Sequence, residues 1–258
     1  MICLERSDNS LLVVAQSAHA VGCEQLARRW LRPVDIPLCI WPRFITAVRE
    51  HDSGWQYWEH EPQLDDHGHP YTFTNLPNRQ HIAVWKASIE TQAVKDVYAA
   101  LVVALHARWL FTHISDSSEE DIVASQQFIA DMDDFVDRAI DKLALSSAEE
   151  QLAIQPGNLT VVRRLLAFLD LLSLMLIGGL TWRQWGQRMQ FGDRTESLWL
   201  TPDNGKVVVD PWPFEDRAFD IQIDAKSVPD LPFENAHHFL SCFEQADPVL
   251  LQYRISPD

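Results

Sequence analysis

One carboxylate constrains this chain more than any other residue. Asp170 sits in Leu165-Leu166-Ala167-Phe168-Leu169-Asp170-Leu171-Leu172, part of the most apolar stretch of the sequence. A helix apolar on every face belongs in a core, and an unpaired carboxylate there costs several kcal/mol. Whatever fold forms must bring Asp170 a partner. Arg163 and Arg164 on the same segment are the local candidates for a salt bridge, but Arg163 is two turns back and needs a long reach. The stretch is also short of the roughly 20 residues that cross a bilayer. Asp170 interrupts it and Gly178-Gly179 ends it, so it reads as a buried helix.

Two further features ask for the same explanation. His106 lies between Leu105 and Ala107, with Val102 and Val103 one turn back, and His51-Asp52 is an adjacent pair at a helix end just before Gly54, a C-cap type residue. Alone, His106 reads as a satisfied core histidine and His51-Asp52 as ordinary helix-end polarity. Together with Asp170 they form a set of imidazoles and carboxylates, the ligands suited to iron, manganese or zinc. Facing helices of a bundle can supply such ligands to a common point. One carboxylate can bridge two cations, and two ions roughly 3.5–4 Å apart can polarise a substrate and generate hydroxide from water.

Composition narrows the alternatives. The formal charge is -16 with no Lys/Arg cluster, which excludes a general attraction to nucleic acid or an anionic membrane and leaves a small-molecule substrate. With 9 Gly there is no phosphate loop, dinucleotide fingerprint or Gly-x-Ser-x-Gly elbow. Cys3, Cys23, Cys39 and Cys242 show no Cys-x-x-Cys spacing, so they read as reduced thiols. The opening MICLERSDNS lacks the positive start and long apolar run of a signal peptide, and a cytoplasmic location is expected.

Periodicity predicts helices over His19 to Leu31 with Ser17 as N-cap, around Phe44 to His51, from about Asn78 to Glu90, from Val94 to Phe111, through an acidic segment ending near Leu145, and from Asn158 or Thr160 to Ile177. Leu11 to Ala15 reads as a short strand or an apolar lead-in. Trp55 to Pro77 is non-periodic but rich in aromatics, which predicts an ordered functional loop. Leu198 to Leu200 and Val207 to Val209 flank Pro202-Asp203-Asn204-Gly205 and predict a hairpin, with a third strand over Asp220 to Asp224. The expected fold is mostly α, a helical bundle over residues 1–190 with a small β appendage over 191–258. That appendage either closes the site or makes a homodimer contact.

The order His, His-Asp, His, His, Asp resembles the histidine–aspartate (HD) superfamily of helical, metal-dependent proteins, mostly phosphohydrolases. The likeness runs from about Gln16 to Leu180. His51-Asp52-Ser53-Gly54 is similar to the superfamily's His-Asp-x-Gly turn, His19 to its first histidine, His81 and His106 to the extra histidines of dinuclear members, and Asp170 to the closing aspartate. Glu50-His51-Asp52-Ser53-Gly54-Trp55, Trp58-Glu59, Leu105-His106-Ala107 and Asp210-Pro211-Trp212-Pro213-Phe214 look like a bacterial branch named only as a domain of unknown function.

The resemblance implies two divalent ions, with iron favoured and manganese or zinc as alternatives. His19, His51, Asp52 and Asp170 would hold one ion and His81 and His106 the second, with Asp52 bridging. It implies hydrolysis of a phosphoester by metal-activated water, or, as in some six-ligand relatives, a mixed-valent di-iron oxygenase acting on a small polar organic substrate. Many phosphate-handling members carry Lys directly after His-Asp-x-Gly, where this chain has Trp55; Arg79, Lys86 or Arg108 is then the expected substitute. Asp52, Trp55 and Lys86 are accordingly the candidate catalytic residues. His67-Gly68-His69 reads as a polar turn, His237-His238 as a solvated helix start, and the acidic run Asp131 to Asp141 as an exposed helix face.

Overall fold

The computed structural model describes residues 1–113, 118–178, 185–203 and 206–257. The chain begins with two strands, β1 (Ile2–Glu5) and β2 (Ser10–Val14), and then enters the helices α1 (Gln16–Ala27), α2 (Trp41–Glu50), α3 (Trp55–His60), α4 (Asn78–Lys95), α5 (Val97–Phe111), α6 (Glu119–Ala144), α7 (Ala148–Ala153) and α8 (Pro156–Ile177). The strands β3 (Trp185–Phe191), β4 (Arg194–Asp203), β5 (Lys206–Asp210) and β6 (Phe219–Pro229) follow, then α9 (Ala236–Gln245) and β7 (Pro248–Ile255).

Helix α5 is the axis of the helical layer. Its residues are apolar on nearly every face, Tyr98 to Ala104 are all fully buried, and α2, α4, α6 and α8 pack around it. Asp96 starts it by accepting hydrogen bonds from the backbone N–H groups of Tyr98 and Ala99. Helix α8 starts with Pro156 in its first turn and stops at Gly178, whose φ of +100° suits glycine. Ser118 caps α6, whose Asp133, Asp134, Asp137 and Asp141 face outward, as the acidic run predicts.

The expectation of a mostly α bundle with a small C-terminal β appendage is overturned. Among the described residues, seven strands form two antiparallel sheets, and the molecule is an α/β mixture. The larger sheet has the order β1-β2-β6-β7, so it draws strands from both ends of the chain. Leu11 pairs with Val228, and Phe219 with Ile255. Along β6, Phe219, Ile221, Ile223 and Ala225 are buried while Asp220, Gln222 and Asp224 are exposed, the alternation of a sheet with one wet face. The buried face lies against α1. A side chain at Gly22 would come within 2.7 Å of Ile223 Cδ1 and 3.1 Å of Ser173 Oγ, so this glycine lets α1 fit between the sheet and α8.

The smaller sheet, β3-β4-β5, contains the predicted hairpin: Leu200 pairs with Val209. Its Asn204-Gly205 turn lies outside the described residues, as do Gly179 and part of the polar break after α5. Asp220 to Asp224 is a strand, but it belongs to the larger sheet. The Trp55–Pro77 segment is not wholly irregular, since α3 occupies its start. No helix among the described residues is long and apolar enough to cross a membrane.

Candidate metal centre

Helices α1, α5 and α8 and the turn after α2 bring their side chains to a single buried point. Asp170 projects from α8. His19 on α1 places Nε2 2.9 Å from Asp170 Oδ1, His51 after α2 places Nε2 3.7 Å from the same oxygen, and His106 on α5 places Nε2 3.3 Å from Oδ2. Asp52 Oδ2 is 3.5 Å from His51 Nε2. The three imidazoles are at most 1% exposed. The local salt bridge to Arg163 or Arg164 does not form: Arg163 stacks over the Trp109 ring, 5.2 Å from its centroid, and imidazoles surround Asp170 instead.

The backbone explains how adjacent His51 and Asp52 reach the core. Both the residue after α2, His51, and Gly54 keep right-handed helical angles, so the chain stays coiled through His51-Asp52-Ser53-Gly54 into α3. Gly54 is therefore not the C-cap that its position suggests. A β-carbon there would overlap the Val84 carbonyl oxygen and crowd Ser88, so the glycine serves close approach to α4. Ser88 Oγ accepts the Gly54 N–H at 2.8 Å. Ser17 is likewise not the N-cap of α1. The helix begins at Gln16, whose N–H donates to the Glu59 carboxylate of α3 at 2.9 Å.

Hydrogen bonding fixes which nitrogen faces the cluster. His51 Nδ1–H donates to the Val48 carbonyl at 2.7 Å, which turns Nε2 toward the carboxylates. His19 Nδ1 lies 3.0 Å from Ser173 Oγ, and that hydroxyl can also donate to the His19 carbonyl at 3.4 Å, so it can serve either tautomer. Such outer hydrogen bonds are the usual supports of metal-binding histidines. His51 Nε2 and both ring nitrogens of His106 are buried without a hydrogen-bond partner.

Charge and burial pull against each other here. Burial lowers the His51 pKa, but Asp52 and Asp170 more than offset it and lift the imidazole to about 9. Burial pushes the Asp170 carboxyl up, and the neighbouring His106, His19 and His51 imidazoles together hold it well below the carboxylate range. Burial keeps His106 below its ordinary value. Two carboxylates thus share three imidazoles, of which the site favours the charged form of His51 and disfavours that of His106.

The cluster opens on a cavity of about 240 Å³. His19, Asp52, His81 and Asp170 line it, with Trp55, Phe73, Trp85, Trp109, Leu110, Leu171 and Leu174 supplying apolar walls. His81 reaches the cavity from α4 but has no ion pair with Asp52 or Asp170; its ring packs among Trp55, Trp85 and Phe111. Burial lowers it to about 4 and keeps it neutral. Trp55 forms a wall, as its position after the His-Asp turn suggests. Lys86 does not join. It bonds Asp131 on α6 at 2.7 Å and borders a separate pocket beside Glu90 and Arg138. Arg79 and Arg108 are paired with Glu120 and Asp133.

Cys23 is a member of the cluster that the histidine–aspartate pattern does not include. It is fully buried on α1, and its Sγ lies 3.6 Å from His19 Nε2. One ligand atom each from His19, Cys23, His51 and Asp170 falls within 4.8 Å of the others. The sequence signal for it is the i, i+4 spacing of His19 and Cys23 on one helix face. His67 and His69 form the expected polar turn, their N–H groups bonding Asp65.

The family model for proteins of unknown function (DUF3891) matches residues 1–230. The chain belongs to the DUF3891 family. No curated protein and no solved structure matches it. All the residues of the cluster and its cavity fall within the DUF3891 match.

Proposed function

We propose that this DUF3891 member is a metal-dependent hydrolase of the HD type, cleaving a phosphoester whose organic part is apolar. The observation that carries the reading is the Asp170 carboxylate ringed by three buried imidazoles, several of whose nitrogens have no donor or acceptor. Buried polar atoms left unpaired cost about 1–3 kcal/mol each, and a cation accepted by those lone pairs would remove that cost. The donor set, imidazole plus carboxylate, suits iron, manganese or zinc. His19, His51, Asp52 and Asp170 would hold one ion, with His106 and His81 available to a second.

A divalent ion at this point supplies Lewis acidity and makes hydroxide available from water near neutral pH. The chain's own groups do the rest. Val48 and Ser173 hold the His51 and His19 rings in place. Asp52, at the cavity wall, is placed to take the proton of an attacking water. His81 stays neutral and faces the leaving group as a hydrogen-bond partner. Trp55, Phe73, Trp85 and Trp109 exclude bulk water and bind the apolar part of the substrate.

The test is metal analysis of protein purified with zinc, manganese or ferrous iron, followed by a phosphoester panel with each loaded form. Tight binding and turnover that Asp170→Asn abolishes are expected. Protein that binds none of the three ions overturns the proposal. A second reading, a di-iron oxygenase acting on a small organic substrate, is favoured by one observation: among the described residues, the cavity lining includes no Lys or Arg to meet a phosphate. Oxygen uptake by the ferrous form, without phosphoester turnover, would select it.

A further inference from the structure

We propose that the Cys23 thiolate is a direct ligand of the ion held by His19, His51 and Asp170, making the centre a mixed sulfur, nitrogen and oxygen site. The inference rests on the metal-binding reading above and adds a ligand outside the histidine–aspartate set. Three observations carry it. Cys23 and His19 are one helical turn apart on α1, so both side chains leave the same face. The sulfur lies within 4.8 Å of ligand atoms from His19, His51 and Asp170. Its separation from His19 Nε2 is 3.6 Å. An ion bound to sulfur at about 2.3 Å and to nitrogen at about 2.05 Å, at a tetrahedral angle, places the two ligands about 3.6 Å apart. The observed spacing fits that arrangement without moving the helix.

A buried cysteine is often only a small apolar filler. The surroundings here are not those of a filler site: Asp170, His19, His51 and Ser173 are all close by. The thiol proton leaves to solvent as the ion enters, so coordination needs no oxidant or reductant. The chemical consequence concerns metal choice. Thiolate favours zinc and other softer ions over manganese and magnesium, which prefer oxygen ligands.

Cobalt(II) provides a readout independent of turnover. Titrated into the full chain, it should produce a near-ultraviolet thiolate-to-cobalt charge-transfer band together with visible d–d bands. In Cys23→Ser the charge-transfer band should vanish while d–d bands persist at shifted positions. The same variant should lose on the order of 10-fold or more in zinc affinity and much less in manganese affinity. Cobalt d–d bands in the unsubstituted chain without a charge-transfer band would overturn the proposal and leave the histidine–aspartate centre standing. A charge-transfer band that survives in Cys23→Ser would also overturn it, by moving the sulfur ligand elsewhere. No binding of cobalt, zinc, manganese or ferrous iron at all would overturn both this assignment and the metal-dependent reading.

Discussion

Two carboxylates, Asp96 and Asp170, sit among basic groups in this molecule, and they are finished to different degrees. Asp96 receives Arg43 through both of its oxygens, at 2.7 and 2.6 Å, and also accepts the Tyr98 and Ala99 N–H groups of α5. Arg43 spends its remaining terminal nitrogen on Glu150 at 2.6 Å. Every strong donor there has an acceptor. Around Asp170 the balance is reversed: His51 Nε2 and both nitrogens of His106 have no hydrogen-bond partner, and Asp52 adds a second negative charge. The first cluster is a clamp that joins α2, α5 and α7. The second leaves buried ring nitrogens unmatched. Polar atoms left unpaired inside a well-formed core mark a place where stability has been given up for function.

Exchanging the acid for its amide at each position should separate the two roles. The largest effect expected is on metal binding in Asp170→Asn. Affinity for zinc or manganese should fall on the order of 100-fold or more, since supports of a metal ligand alone are worth 10–100-fold. Apo stability should change by less than about 1 kcal/mol, because an amide N–H can donate to an imidazole lone pair. Calorimetric metal titration and urea unfolding of the same sample check both halves. A large loss of apo stability would make Asp170 a structural residue like Asp96.

Asp96→Ala should give the converse. It removes a helix N-cap and leaves the partly buried Arg43 without its main partner, a combined cost of about 3 kcal/mol. Metal content should be unchanged. If the urea midpoint stays where it was, the clamp carries no stability and the contrast with Asp170 fails.

The clamp also sets an acid limit. Arg43 and the α5 N–H groups outweigh burial and hold Asp96 below its ordinary 3.8, while hydrogen bonds from Ser146 and Arg43 hold Glu150 below 4.5. Groups with depressed folded values stabilise the protein fully above their unfolded values and lose that contribution as pH falls through the folded ones. The clamp's contribution to the stability of metal-free protein should therefore be constant above about pH 5 and be lost below about pH 4. Arg43→Met should flatten that acid slope. An unchanged slope would place the acid-labile groups elsewhere.

The two clusters also differ in how far the sequence announces them. Asp170 is conspicuous because its neighbours are apolar, whereas His106 alone reads as a satisfied core histidine and points to a shared site only when set beside Asp170. Asp96 lies in a polar Lys95-Asp96 break and gives no warning that it meets Arg43 across fifty residues. Helices α5 and α8 lie near their expected limits, whereas α4 runs to Lys95, five residues past the expected Glu90, and α1 spans Gln16–Ala27 where the periodicity predicts His19 to Leu31. The larger sheet does not follow from local pattern. Ile2–Glu5 is four residues long, and β2 pairs with β6, over two hundred positions away, so the alternation in each strand gives no hint of its neighbour. The His-Asp turn is legible, whereas the reason for its glycine lies in the facing α4 backbone. Cys23 escapes notice when cysteines are weighed only against one another, because its neighbour in the cluster is a histidine one turn away.

Lys86 is where the smallest effect is expected, and it separates the site from its surroundings. Sequence order makes it a candidate phosphate-binding cation, yet it points to α6 and bonds Asp131, with its side chain 40% exposed. Exposed pairs of this kind contribute about 0–1 kcal/mol. Lys86→Met should therefore lower stability by no more than about 1 kcal/mol and leave zinc affinity within twofold. Among the described residues, the cavity lining brings the His19 and His81 rings and the Asp52 and Asp170 carboxylates, but no Lys or Arg, to an incoming phosphate. If Lys86→Met raised the KM for a phosphoester tenfold with kcat unchanged, α4 and α6 would have to part on substrate binding, and the lysine would gain the role its pairing now denies it. If KM holds, the proposed metal ions, and not Lys86, would meet the anion charge.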